Sequence, residues 1–196
     1  MSEAFSEKNQ LYLDGTTCIQ DLHSPQAFVS TILKEIDSAQ DQVILSALYL
    51  GTGSLESQIV EHAEKALQDT KNRPNFKITF FFDHSRGQRG NINSVTLLTD
   101  LVAKYHPRAQ VFLYQMPQLR GFMDYLPLQL KELLGVYHCK FSVFDNKAIL
   151  TGANLSYDYF TDRQDRYFLI SPSRASDNVL AEDCALFNAH KGSSDA

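Results

Sequence analysis

Three short, almost wholly apolar runs, spaced by segments of helical period, constrain this chain more than any other feature. DQVILSALYL (41–50), FKITFFFD (76–83) and QVFLYQM (110–116) are apolar nearly throughout rather than alternately. Strands with that pattern are buried on both faces. Between them lie stretches with a 3.6-residue repeat. Ser24 caps a helix opened by Pro25, and Phe28, Ile32, Leu33 and Ile36 share one face of it. A second helix follows Ser54 with Leu55, Ile59, Ala63 and Ala66 inward, and a third runs from about Ser94 until Pro107. This rhythm predicts an α/β domain with a mixed, mostly parallel sheet flanked by helices on both faces.

Further along, 118–134 reads as a loop and a short helix interrupted by Pro127. Strands follow at 136–144 and 147–151, joined by Asp145-Asn146, and at 166–170. No internal repeat is visible. The expected organisation is a disordered N-terminus (1–10), a single domain (11–170) and a poorly ordered tail (171–196), rich in Ser, Asp and Ala.

At 196 residues and 43% hydrophobic, the chain suits one domain with a real core. No apolar run approaches the roughly 20 residues that span a bilayer, so any lipid contact is expected to be peripheral. The formal charge of −5 argues against bulk nucleic-acid binding. Three scattered cysteines support neither a disulfide framework nor a zinc site, and fit a reducing compartment. MSEAFSEKNQ has neither the apolar core of a secretory signal nor the arginines of a transit peptide.

The stretch YHCKFSVFDNKAILTGANLS (137–156) is where chemistry enters. On a strand, His138, Lys140 and Ser142 share one face, a polar wall, and Tyr137, Cys139, Phe141 and Val143 share the other, expected to be core. An imidazole beside an ammonium suits phosphate chemistry. Lysine neutralises phosphoryl oxygens, and histidine attacks phosphorus or carries a proton. Asn154 stands after the returning strand, where its amide can donate to a phosphate oxygen. SRGQRG (85–90) puts Arg86 and Arg89 at a sheet edge, where α/β ligands bind. Arg163 and Arg166 are expected to face the same pocket, the alternative for Arg166 being an ion pair with Asp162 or Asp165. LGTGS (50–54) reads as a tight turn into a helix or a weak phosphate-binding turn. LRGFMDYLPLQL (119–130) suits a membrane surface or core packing.

The run His138-x-Lys140-x4-Asp145-x6-Gly152-Ala153-Asn154 resembles the signature of the phospholipase D superfamily. It departs from the common form in lacking the serine after the glycine, a hydroxyl that Thr151 or Ser156 would replace. VILSALYLGTG, FFFDHSRGQRG and GANLSYDYFTDRQDRYFLI are further similar to the eukaryotic phosphatidylglycerophosphate synthase family, over roughly residues 10–170. The resemblance implies a phosphatidyl transfer from CDP-diacylglycerol to glycerol 3-phosphate, a step toward phosphatidylglycerol and cardiolipin. It implies His138 as nucleophile, Lys140 as its cation, and Asp145 in the catalytic set, more as a strand-end anchor than a direct participant. Asn154, Arg86, Arg89 and Arg163 would bind substrate. No metal or cofactor is implied. The implied setting is the mitochondrion, peripheral to the inner membrane.

The family mechanism uses two signatures, one histidine attacking and the other protonating the leaving group. None of His23, His62, His84, His106 and His190 has lysine two positions on. The chain is therefore expected to be a half-site, either a truncated form or one that pairs as a homodimer. Truncation is favoured by the tail's composition. The alternatives are a single-signature phosphodiesterase or nuclease active as a homodimer, and a non-catalytic remnant that binds lipid headgroups. The acidic balance disfavours nucleic acid.

Overall fold

The computed structural model describes residues 10–13, 17–117, 125 and 135–172. The expected disorder of the first nine residues, the tail from 173, and most of 118–134 with its membrane-surface reading lie outside the described residues.

Among the described residues eight strands form one sheet: β1 (Gln10–Leu13), β2 (Thr17–Asp21), β3 (Gln42–Ser46), β4 (Lys77–Asp83), β5 (Ala109–Tyr114), β6 (Phe141–Phe144), β7 (Lys147–Thr151) and β8 (Tyr167–Pro172). Their order is β1-β2-β8-β7-β6-β3-β4-β5. The helices are α1 (Pro25–Ser38), α2 (Ser54–Gln68), α3 (His84–Gly87), α4 (Ser94–Tyr105) and α5 (Tyr157–Thr161).

The α/β class and the mixed sheet are as expected, but the parallel share is smaller. β3, β4 and β5 run parallel, whereas every other neighbouring pair is antiparallel. The first three strands are linked by helical crossovers, which enforce parallel pairing. The tight turn at Asp145-Asn146 and the added strands β1 and β2 make the rest antiparallel. β8 reaches Pro172, so Ser171 and Pro172 belong to the sheet rather than to a tail.

The helices also depart from expectation. Among the described residues α1, α2, α4 and α5 pack on one another as a single layer, while the four-residue α3 meets the ends of β4 and β5. The core lies between that layer and one sheet face. It contains Phe28, Ile32, Ile36, Ile59, Val43, Leu45, Ile78, Phe80 and Phe82, all fully buried. Each such side chain stabilises the fold by roughly 2–3 kcal/mol relative to exposure. The opposite face carries a row running across strands: Phe168, Leu150, Phe141, Ser46, Phe81 and Phe112. Leu150 and Phe112 are nearly half exposed there, and the Phe81 and Phe112 rings stack at 5.2 Å.

Local signals explain the helix starts. The Ser24 hydroxyl accepts the Ala27 N–H at 3.1 Å, with Pro25 in the first turn. For α4 the cap is Asn93, whose side chain accepts from Val95 and Thr96 in a reciprocal capping box. Ser94, freed from capping, instead bonds both ways to the Leu50 backbone, tying α4 to the loop after β3.

Candidate active site

The C-terminal ends of β3, β4 and β7 and the N-terminal ends of β6 and β8 meet at one edge of the sheet. That edge collects most of the residues singled out by sequence. His138 and Lys140 approach β6, Asn154 follows β7, Arg163 precedes β8, and Arg86 follows β4. Asp145 does not join them. It turns the chain between β6 and β7 at the other end, separated from His138 by four residues of strand, on the order of 13 Å.

The Asp145 carboxylate has a different task. It accepts backbone N–H bonds from Gln40, Asp41 and Gln42 at 2.7, 3.0 and 2.8 Å, clamping the start of β3. Its φ of 51° is a left-handed value that Asp and Asn tolerate better than most residues. Burial alone would raise its pKa, but the three backbone donors, helped by Lys147, hold it below the usual carboxylate value. Its place in the catalytic set is corrected by this position: the residue anchors the scaffold.

The expected faces of the 137–144 segment are also reversed. Ser142 and Phe144 point into the core beside Leu45 and Ile149, with Lys140 buried just before them, whereas Cys139 is exposed and Phe141 and Val143 are only partly buried. Regular strand geometry begins only at Phe141. Upstream, the backbone finds other partners. The Tyr137 N–H donates to Asp83 Oδ2 at 2.8 Å, and the Ser46 hydroxyl meets Tyr137 Oη at 2.8 Å and the Cys139 carbonyl at 3.2 Å. These bonds hold the approach to β6 as a rigid arch with His138 exposed on it.

Lys140 is only 8% exposed, and its ammonium donates to the His138 carbonyl at 3.1 Å. Desolvation lowers its pKa, with partial compensation from Asp165 and Cys139. A buried ammonium bonded, among the described residues, only to a backbone carbonyl, two residues from an exposed histidine, is an anion-seeking group, since a bound phosphate would restore the charge balance lost on burial.

Asp165 and Asp83 are the site residues that sequence reasoning missed. Asp165 faces Lys140 electrostatically and lies against Gly152, where an added Cβ would sit 2.7 Å from its carboxylate. Gly152 in the signature therefore has a steric cause. Asp165 is set in place by Tyr167, whose fully buried ring stacks on Phe28 at 4.5 Å. The Tyr167 hydroxyl accepts the Asp165 N–H at 3.1 Å and donates to the Arg163 carbonyl at 3.3 Å. The DRQDRY segment wraps around this phenol, which sends Asp165 toward Lys140 and leaves Arg163 exposed over the Tyr159 ring. Asp83 is buried at the end of β4. Its Oδ1 caps Ser85 and Arg86, and its Oδ2 takes Tyr137, so one carboxylate joins the arginine loop to the His138 arch. An aspartate closing a strand just ahead of a short helix was the available signal.

Arg86 and Arg89 line a cavity of about 310 Å³ with Tyr49, Asn93 and Ser94, the Arg86 guanidinium lying 5.5 Å from the Tyr49 ring centroid. His138 and Lys140 do not line it, so the segment that carries them and the arginine cavity are separate features of this edge. Asn154 is buried with its Oδ1 accepting the Leu48 N–H at 3.3 Å, so Nδ2 carries its donor capacity. Neither expected replacement for the missing serine is idle. Thr151 Oγ1 accepts the Ala153 N–H, and Ser156 Oγ accepts from Tyr49 Oη. Among the described residues no cluster of His, Cys, Asp and Glu has a metal-holding arrangement.

No protein-family model matches the chain. It is 40% identical over 160 residues to the mitochondrial CDP-diacylglycerol–glycerol-3-phosphate 3-phosphatidyltransferase of Gallus gallus, covering 79% of this chain and 28% of the relative. Identity to the Homo sapiens protein of that name is 38% over 171 residues, covering 85% and 29%. For the Saccharomyces cerevisiae protein it is 42% over 155 residues, covering 77% and 29%. The chain thus spans little more than a quarter of these relatives' length. In fold it is similar to phosphatidylserine synthase of Haemophilus influenzae (TM-score 0.62, 20% identity, covering 83% of this chain and 35% of that one). It is also similar to Nuc of Salmonella typhimurium, a phospholipase D family member (TM-score 0.55, 18% identity, covering 85% and 91%). The fold is phospholipase D-like, and the resemblance drawn from the signature and the DRQDRY segment is borne out by both kinds of match.

Proposed function

We propose, from the premise that this chain is homologous to the mitochondrial and yeast phosphatidyltransferases and shares a phospholipase D-like fold, that it is one lobe of a phosphatidyl-transfer enzyme. In this reading His138 attacks the phosphorus of CDP-diacylglycerol that bears the diacylglycerol. The phosphoanhydride bond to CMP breaks and CMP leaves, giving a phosphatidyl-histidine. A hydroxyl of glycerol 3-phosphate then attacks the same phosphorus, the P–N bond breaks, and phosphatidylglycerol phosphate is released. Lys140 neutralises the phosphoryl oxygens, with Asn154 Nδ2 as a further donor. Arg86 and Arg89, with Arg163 at the rim, hold the phosphate of the acceptor. The supporting observation is the buried Lys140 ammonium bonded to the His138 carbonyl, with His138 itself exposed on an arch fixed by Asp83 and Ser46.

Protonating the leaving CMP requires a general acid, worth roughly 10²–10⁴-fold in rate. We assign it to a second lobe, either a second copy or further polypeptide. The partly exposed row from Phe168 to Phe112 on the outer sheet face is a surface of the kind such a lobe would cover. The work site proposed is the surface of the mitochondrial inner membrane, approached peripherally; among the described residues no helix is long and apolar enough to cross a membrane.

The test is CMP release by the purified chain from CDP-diacylglycerol with glycerol 3-phosphate, run beside a DNA substrate. Release that disappears in His138→Ala supports transfer. DNA cleavage without CMP release would replace it with a nuclease.

A further inference from the structure

Glu56 is almost fully buried, at 1% exposure, and has no part in the chemistry proposed above. It lies in the first turn of α2, after the GTG turn of the LGTGS stretch. Ser54 is not the cap of that turn: the cap position is Gly53, and no side chain bonds there. Both glycines instead make room for the Glu56 carboxylate. A Cβ on Gly51 would lie 2.1 Å from Oε1, and one on Gly53 2.8 Å from Oε2. Oε1 accepts the N–H of Tyr157, the first residue of α5, at 2.6 Å, while Oε2 is buried with no hydrogen-bond partner. Holding a carboxylate this way is costly, and an apolar side chain would fill the space at less expense. The arrangement therefore calls for a reason beyond packing.

That reason lies in what the bond joins. The loop after β3, with the start of α2, and the loop after β7 are cross-linked at four successive residues of the latter, 154–157. Leu48 N–H donates to Asn154 Oδ1, Gly51 N–H to the Leu155 carbonyl at 2.8 Å, Tyr49 Oη to Ser156 Oγ, and Tyr157 N–H to Glu56. The first loop carries Tyr49 against Arg86, and the second carries Asn154 and leads through α5 to Arg163 and Asp165. Glu56 is the charged end of this zipper and the strongest acceptor in it. We infer that Glu56, admitted by Gly51 and Gly53, is a positioning residue that sets the Asn154–Tyr157 loop against the anion-binding edge. The inference rests on the reading of His138 and Lys140 as an anion site, but half of its test does not.

The experiment uses the full chain and compares Glu56→Ala, Glu56→Gln and Gly51→Ala with the parent. The readouts are amide hydrogen exchange at residues 154–157 and titration with vanadate, a phosphate mimic. Loss of a buried acceptor is expected to speed exchange at Tyr157, Leu155 and Asn154 by roughly ten- to a hundredfold in Glu56→Ala. Exchange in the middle of α2 is expected to hold, and vanadate binding to weaken about tenfold. Glu56→Gln keeps the accepting oxygen and should restore both. Gly51→Ala, which displaces the carboxylate, should reproduce the lesion even where Glu56→Ala fails to fold. Unchanged exchange at 154–157 in Glu56→Ala or Gly51→Ala would overturn the inference, as would failure of Glu56→Gln to restore it. If the parent binds no vanadate, the anion-site reading fails while the exchange measurement still decides the role of Glu56.

Discussion

Two ionisable residues of the signature do opposite work, and the difference is measurable at the level of single side chains. Asp145 is held by three backbone donors away from the reacting edge. Asp145→Ala is expected to cost about 1 kcal/mol of stability, because water replaces the carboxylate at the exposed N–H groups of 40–42, readable by urea denaturation. Because its pKa is lowered on folding, its contribution is complete above the ordinary carboxylate value and is lost as pH falls through the lowered value. Asp145→Ala should therefore flatten the acid limb of the stability profile. Lys140 shifts the pH slope in the same direction, but through a penalty rather than a gain. Its pKa is also lowered, chiefly by burial, but the charged form is the penalised one. The folded chain then binds fewer protons than the unfolded one, and stability rises with pH below the ordinary lysine value. Lys140→Met should abolish that slope and raise stability at neutral pH by about 1 kcal/mol while eliminating CMP release. Sequence alone could name both residues and even favour an anchoring task for Asp145. It could not tell which sheet edge each would occupy, because the signature's spacing runs the length of β6 and back.

At the level of elements, the segments that carry the site are held by side chains as much as by the sheet. Asp83 joins α3, which bears Arg86, to the arch that bears His138. Asp83→Asn keeps an accepting oxygen for the helix cap but turns an amide toward the Tyr137 N–H, where donor meets donor. It is expected to lower CMP release by roughly ten- to a hundredfold with only about 1 kcal/mol lost in stability. Equal loss of stability and activity would place Asp83 in the scaffold alone. The helices and the three parallel strands were legible because apolar period and cap residues are local. The approach to β6 was not. His138 and Lys140 sit on residues that alternate like a strand, yet Asp83 and Ser46, distant in sequence, take their backbone bonds. Strands β1 and β2 were missed for a related reason: QLYL and TCIQD are short and half polar, and only pairing with β8 makes a strand of TCIQD. Tyr167 was read as a plain strand residue, although its hydroxyl organises the whole DRQDRY segment.

As a whole, the described residues form a single sheet with one helix layer, a buried Lys140 two residues after an exposed His138 in the chain, and an outer face with a half-exposed aromatic row. In the reading proposed above, such an object supplies the attacking nucleophile and the cation of the first displacement, while the proton for departing CMP comes from a second lobe or, more slowly, from water. The proposed chemistry thus predicts that a covalent phosphorus–nitrogen bond forms even where turnover is slow. The direct measurement is intact-protein and peptide mass spectrometry after incubating the chain with CDP-diacylglycerol and quenching in alkali, which preserves phosphohistidine. The account predicts a phosphatidyl adduct on the peptide containing His138, formed with release of CMP and absent in His138→Ala. An adduct that persists in His138→Ala, or CMP release with no adduct at His138 under conditions that trap it, would contradict it.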